Sequence, residues 1–194
     1  MTSQTPQLVI VGGPNGSGKS TFADEFSART GIPYLGADAI AAELAPQDLL
    51  SVRIQAGKLF VRRLEAAIAS GQSLVVESTL SGRGLLHHIS QAQQAGFEIT
   101  LVFVTLDDPA LCIARIRERV SQGGHSVPDE DVRRRFYRAR QLFWSLYRPV
   151  ADNWQLFSNS GEGFDLLAAG SQESVVETAP DELAAFVTSL ETTS

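Results

Sequence analysis

An α/β sandwich of three layers, with a mostly parallel sheet covered by helices on both faces, is the fold class that this sequence predicts. Three observations predict it. Short apolar runs alternate with longer amphipathic stretches along most of the chain. The first apolar run leads directly into a glycine-rich turn and a helix start. A length of 194 residues with 43% hydrophobic content suits one domain, residues 1–194, whose core stands without disulfides or structural metals.

Residues 8–11 read as the first strand and 19–29 as its helix, which Gly31-Ile32-Pro33 ends. Tyr34-Leu35 is a short strand running into Gly36-Ala37-Asp38, and 39–44 a short helix closed by Pro46. A long helix is predicted over 47–70, with Gly71 as its stop signal. Residues 73–76 form a strand followed by a polar loop over 77–84, and 85–95 a helix closed by Gly96. The strongest strand covers 99–104, and Pro109 opens a helix that runs to about Ser121. There Gly123-Gly124-His125-Ser126-Val127-Pro128 interrupts it, before a second helix from Asp129 or Glu130 to Tyr147. Val132, Phe136, Ala139, Phe143 and Leu146 recur every three or four residues along that helix, an apolar stripe. Strands at 154–157 and 164–168, an edge strand at 175–176, a helix over 180–190 and a frayed tail over 191–194 complete the chain.

The turn Gly13-Pro14-Asn15-Gly16-Ser17-Gly18-Lys19-Ser20 fills every fixed position of GxxxxGK[ST], and Thr21 follows it. Such a loop aims successive backbone N–H groups into one concavity that fits phosphate oxygens. Lys19 can reach the β- and γ-phosphates, and the Ser20 hydroxyl is placed to ligate Mg²⁺. The helix behind the loop adds the positive end of its dipole. The loop therefore predicts a P-loop NTPase sandwich and a nucleoside-triphosphate site.

Charge and composition exclude other classes. A net charge of −6 argues against a general nucleic-acid binder. No apolar run reaches the ~20 residues that span a bilayer, and residues 1–7 carry no basic, apolar leader. Cys112 stands alone, so an intrachain disulfide is impossible and a reducing cytoplasm is the expected compartment.

Open α/β sheets bind ligands at the carboxyl ends of their strands. Asp38 follows the second strand and Glu77-Ser78-Thr79 the third, so both carboxylates are expected on the rim that holds the P-loop. Asp38 is the candidate general base, or the N-cap of the helix that starts after it. Glu77 is a substrate anchor, an indirect Mg²⁺ partner or a solvated loop residue, and Thr79 can hydrogen-bond the acceptor. Arginines crowd the two helices around the glycine-histidine loop: Arg115, Arg117 and Arg119 before it, Arg133, Arg134 and Arg135 after it. Two helices joined by a glycine loop describe a lid, over about 115–140, whose arginines neutralise a migrating phosphoryl group and exclude water. Each arginine taken singly also reads as a surface charge paired with a nearby carboxylate.

From Val9 to about Ser160 these residues resemble the zeta-toxin-like P-loop kinases, in a compact subgroup with a Gly-Gly-His-x-Val-Pro lid loop. The resemblance rests on Gly12 to Thr21, Asp38, Glu77-Ser78-Thr79-Leu80, Arg119-Val120, the lid loop, Arg134-Arg135-Phe136 and Ala151-Asp152-x-Trp154. It implies an ATP- and Mg²⁺-dependent kinase that phosphorylates a hydroxyl of a nucleotide sugar such as UDP-N-acetylglucosamine. Lys19 would bind phosphates, Asp38 act as base, Glu77 and Thr79 hold substrate, and Arg119 with Arg134 or Arg135 clamp phosphates. An antitoxin partner is implied as well, and a monomer is expected. The chain departs from the family pattern in its shorter length and at Phe157-Ser158-Asn159-Ser160, where an aspartate would precede Asn-Ser. Kinases of other metabolites or nucleosides, and an ATP-binding switch without transfer, are the alternatives.

Overall fold

Alternation along β1 (Gln7–Gly12) sorts the core into two faces. Leu8 and Ile10 join Leu74, Val76, Ile99 and Leu101 on one side of the sheet. Val9 and Val11 join Val75, Val102 and Val104 on the other. β1 is thus buried on both faces, as a central parallel strand must be. The computed structural model describes residues 5–124 and 126–191; His125 and positions 192–194 of the expected frayed tail lie outside the described residues.

The sheet has seven strands in the order β2-β3-β1-β4-β5-β6-β7. β2 (Tyr34–Leu35), β3 (Leu74–Ser78), β1, β4 (Glu98–Thr105) and β5 (Asn153–Ser158) pair in parallel. β6 (Asp165–Ser171) and β7 (Val175–Glu177) add an antiparallel edge. Helix α1 (Lys19–Thr30) covers the Val9 face with Ala23, Phe22 and Phe26. The opposite face is covered by α2 (Ala37–Leu44), α3 (Arg53–Ser70), α4 (Leu85–Gln94) and α7 (Pro180–Glu191), through Ile40, Leu64, Ile89 and Phe186. The predicted three-layer sandwich is the observed one.

The helical hairpin α5 (Pro109–Ser121) and α6 (Asp129–Leu142) has its own small core of Cys112, Ile116, Val132 and Phe136. Asp108 caps α5 by accepting the Ala110 N–H at 2.7 Å, with Pro109 in the first turn. The glycine pair ends it. Gly123, at φ +94°, donates to Val120 O and Gly124 donates to Arg119 O, which satisfies two of the last carbonyls. Cys112 is buried, and burial pushes its thiol up to about 11, so it serves as packing rather than as a thiolate.

Several boundaries differ from the sequence expectation, four of them near the site or with a clear local cause. α3 begins at Arg53 instead of 47, because Asp48 forms a local turn: its side chain accepts from Ser51 N and its carbonyl from Ser51 Oγ. α6 does not run to Tyr147 as one helix; it passes into a π turn (Phe143–Tyr147) and a 3-10 turn (Arg148–Val150) containing Pro149. The wide turn brings Tyr147 fully inward, with Leu146 only half-buried, and the Tyr147 hydroxyl donates to Gly82 O at 2.6 Å. β3 continues through Glu77 and Ser78, which pair with Val11 and Gly12. α2 starts at Ala37 with Gly36 as its N-cap, so Asp38 lies in the first turn and does not cap. Among the described residues no helix is long and apolar enough to cross a membrane.

Candidate active site

The parallel register of β1 and β3 brings Glu77 level with Val11, one residue from the start of the P-loop. At Gly13 the chain adopts φ +146°, and a Cβ there would run into the Val104 carbonyl. At Gly18, with φ +96°, a Cβ would strike the side-chain amide of Asn159. Both glycines are therefore required by close approach as well as by backbone conformation. Gly18 is the N-cap of α1 and supplies no side-chain cap, so the first N–H groups of α1 are left for a ligand.

Lys19 is buried and its Nζ donates to Pro14 O at 2.8 Å, bridging the loop it belongs to. It lies 3.8 Å from Glu77 Oε1. Burial lowers the ammonium's pKa, and the charges of Glu77 and Asp38 act against that shift. The other oxygen of Glu77, Oε2, accepts from the Tyr34 hydroxyl at 2.7 Å. Burial, and then the charge of Glu77, push the Tyr34 phenol up, so it stays protonated and keeps donating. Tyr34, Glu77 and Lys19 form one chain at the floor of the site.

Above that floor lies a cavity of about 760 Å³. Asn15, Gly16, Gly18, Lys19, Ser20 and Thr21 line it from the P-loop side. Gly13, Pro14 and Ser17 are buried beneath, shaping the loop instead of facing the space. Asp38 and Thr79 line the opposite wall with Glu77. The Thr79 hydroxyl is 2.9 Å from Ser81 Oγ. Buried Leu80 follows at φ +48°, a left-handed conformation uncommon outside glycine, and turns the chain back into the core. A Cβ on Gly12 would collide with Leu80, so that glycine makes room for the turn.

The α5–α6 hairpin closes the third side. Arg115 and Arg119 reach the cavity from α5 and Arg135 from α6. Arg135 donates to Asn15 Oδ1 at 3.3 Å and stands 3.9 Å from Asp131. A Cβ on Gly124 would come within 2.7 Å of Arg119 Cγ, so the second glycine of the loop after α5 leaves space for that arginine. Arg134 is not among the lining residues; it pairs with Asp131 at 2.7 Å on the outer face of α6. Of the expected arginine pair, the structure brings Arg135 and not Arg134 to the cavity.

Five cationic side chains (Lys19, Arg53, Arg115, Arg119, Arg135) and three carboxylates (Asp38, Glu77, Asp131) line this space. In a protein of net charge −6 that local excess favours a polyanionic ligand. The donor set also fits Mg²⁺, which takes few protein oxygens and shares the rest with phosphates and water. The exposed Ser20 hydroxyl and the facing carboxylates supply them, and no cluster of three His, Cys, Asp or Glu exists among the described residues for a metal held by protein alone.

Three residues escaped the sequence reading. Arg53, the first residue of α3, lines the cavity. Tyr34 reaches Glu77 across neighbouring strands. Asn159, just beyond β5, donates from Nδ2 to Ser17 O at 2.9 Å, and its own carbonyl accepts from Arg115 at 2.8 Å. Its place at a strand's carboxyl end was the available signal. Replacing Asn159 with alanine is expected to weaken ATP binding about five- to tenfold, the value of one hydrogen bond of about 1 kcal/mol or slightly more. Titration calorimetry with ATP measures it; an unchanged affinity would remove Asn159 as a support of the loop.

A family model described as an AAA domain matches residues 8–142. An uncharacterized protein of Haemophilus influenzae is 32% identical over 124 residues, covering 64% of this chain and 88% of its own length. In structure the chain is similar to the AvrRxo1-ORF1:ORF2 complex crystallised with ATP, with a TM-score of 0.72 and 16% identity; the match covers 95% of this chain but 64% of that one, less than two thirds. It is also similar to the PezAT chromosomal toxin–antitoxin system of Streptococcus pneumoniae, with a TM-score of 0.66, 17% identity, and 93% and 78% of the two chains covered. At such identities the likeness speaks for the fold alone, the mostly parallel α/β sandwich described above. With the matched region running from β1 to the end of α6, the protein belongs to the AAA domain family.

Proposed function

We propose that the chain is an ATP- and Mg²⁺-dependent kinase that transfers the γ-phosphate to a hydroxyl of a nucleotide sugar such as UDP-N-acetylglucosamine. The observation that carries this reading is one cavity with a phosphate cradle on one wall, Asp38 and Thr79 facing it, and arginines between them. The acceptor oxygen attacks the γ-phosphorus in line, the bond to the β–γ bridging oxygen breaks, ADP leaves, and the acceptor's proton passes to Asp38. Lys19 and the N–H groups of residues 15–21 hold the phosphates, while Arg119 and Arg135 neutralise charge on the moving group. Ser20 would hold Mg²⁺, which would supply charge neutralisation for the phosphates. Glu77, fixed by Tyr34, orients Lys19 and the substrate. The kinase unit is residues 1–194, with α5 and α6 as the lid.

The likeness to PezAT supports a protein antitoxin as partner, and the acidic net charge speaks against nucleic acid. A buried lone thiol suits a cytoplasmic monomer. Purified protein with ATP, Mg²⁺ and UDP-N-acetylglucosamine is expected to yield a product heavier by one phosphate in mass spectrometry. No such product across a panel of nucleotide sugars would discard this acceptor class. Acceptor-stimulated ADP release without that product points to another metabolite, and no stimulation by any acceptor to a switch.

A further inference from the structure

The outer face of α6 carries a second concavity, about 390 Å³, against the end of α7. Arg134, Arg138 and Arg140 line it with Tyr137 and Gln141, and Ser189 and Leu190 close it from α7. Among the described residues no lining side chain is acidic. Arg134 is matched by Asp131, but among the described residues neither Arg138 nor Arg140 has a carboxylate within 4 Å. Arg140 is only 5% exposed. Its guanidinium lies 4.9 Å from the Phe136 ring and 4.5 Å from Phe186, one terminal nitrogen donates to Ser189 Oγ at 2.8 Å, and Nε is buried with no partner.

Among the described residues the carboxylate that acts on Arg140 is Asp107, from beyond salt-bridge distance, so the buried guanidinium is only partly matched, which is costly. The aromatic faces offset part of that cost. An oxyanion in the groove would offset more, because arginine forks match phosphate and carboxylate geometry. Tyr137 and Leu190 give the rest of the groove an apolar wall, suited to the body of a ligand rather than to a bare ion. We propose that the α6–α7 groove is a second ligand site, separate from the nucleotide cavity, for a small molecule bearing a phosphate ester or carboxylate on an apolar or aromatic body. The groove also accounts for Arg134: it serves this outer site while Arg135, its neighbour, serves the cavity.

The test is calorimetric titration of the full chain with Mg²⁺ and a saturating non-hydrolysable ATP analogue, so that the P-loop is filled. The probes are phenyl phosphate, benzoate and inorganic phosphate. Phenyl phosphate or benzoate is expected to bind at one equivalent per chain, and the tighter of the two names the anion; inorganic phosphate is expected to bind more weakly than phenyl phosphate. Arg138→Ala, at an exposed position, is expected to weaken the tighter probe about tenfold, the effect of one charged hydrogen-bond partner. Arg140→Lys is expected to do the same if it melts like the parent; if it does not, the Arg138 variant decides. No binding beyond the analogue, or affinity unchanged by Arg138→Ala, overturns the site. Either outcome leaves the kinase reading untouched, since the nucleotide cavity is occupied throughout.

Discussion

Replacing Lys19 with methionine is expected to lower phosphoryl transfer by about 10²–10³-fold, the loss typical of one preorganised donor to developing charge. It is also expected to leave the melting temperature of the nucleotide-free protein unchanged or higher. The two effects have one origin. Without nucleotide, Lys19 is buried, donates to Pro14 O, and sits 3.8 Å from Glu77, so its charge is desolvated and only partly matched. Methionine keeps the apolar stem in place and removes that charge. The proton linkage gives an independent check. Burial lowers the folded-state pKa below 10.5, so between the lowered value and 10.5 the unfolded chain binds more protons than the folded one. Stability from this group therefore rises with pH across that window, and the rise is absent in the variant. Urea melts of both proteins at several pH values read the difference, with the contribution of Tyr34 common to both and Cys112 replaced by serine in both to remove its coupling to Lys19. A variant that melts well below the parent would mean that Lys19 braces the empty loop.

What could be read from the sequence and what could not divides along the range of the interactions. The P-loop was legible because its geometry is local: strand, three glycines at positive φ and a helix start within a dozen residues. Likewise the sheet followed from short apolar runs whose two faces are both buried. Asp38 could be placed on the rim, but only the structure separates it from the cap role, since Gly36 takes that position. Arg134 and Arg135 are adjacent, and a helix points neighbours about 100° apart; which one met the cavity depended on how α6 docks. Arg53, Tyr34 and Asn159 belong to the same class. Each reaches the site through a contact between elements distant in sequence, and no local pattern encodes such a contact.

The sharpest test of chemistry against scaffold is Asp38→Asn, expected to reduce transfer by about 10²–10⁴-fold, the range of a positioned general base, with ATP affinity nearly unchanged. Asp38 lies in the first turn of α2 without capping it, and asparagine keeps its shape while forfeiting the ~0.3–1 kcal/mol of a carboxylate near a helix N-terminus. The protein should therefore fold and bind nucleotide normally, and lost turnover would report on the acceptor's proton. Single-turnover product formation with ATP and acceptor, beside a calorimetric ATP titration, separates the two quantities. The competing carboxylate is Glu77, and it behaves differently when changed. Glu77 accepts from Tyr34 and faces Lys19, so Glu77→Gln alters the charge next to the Lys19 ammonium, proposed above to hold the phosphates. That variant should lose ATP affinity and turnover together. If Asp38→Asn retains full turnover while Glu77→Gln loses turnover at unchanged ATP affinity, the base is Glu77, and the cavity works with the acceptor's hydroxyl turned toward β3 instead of α2.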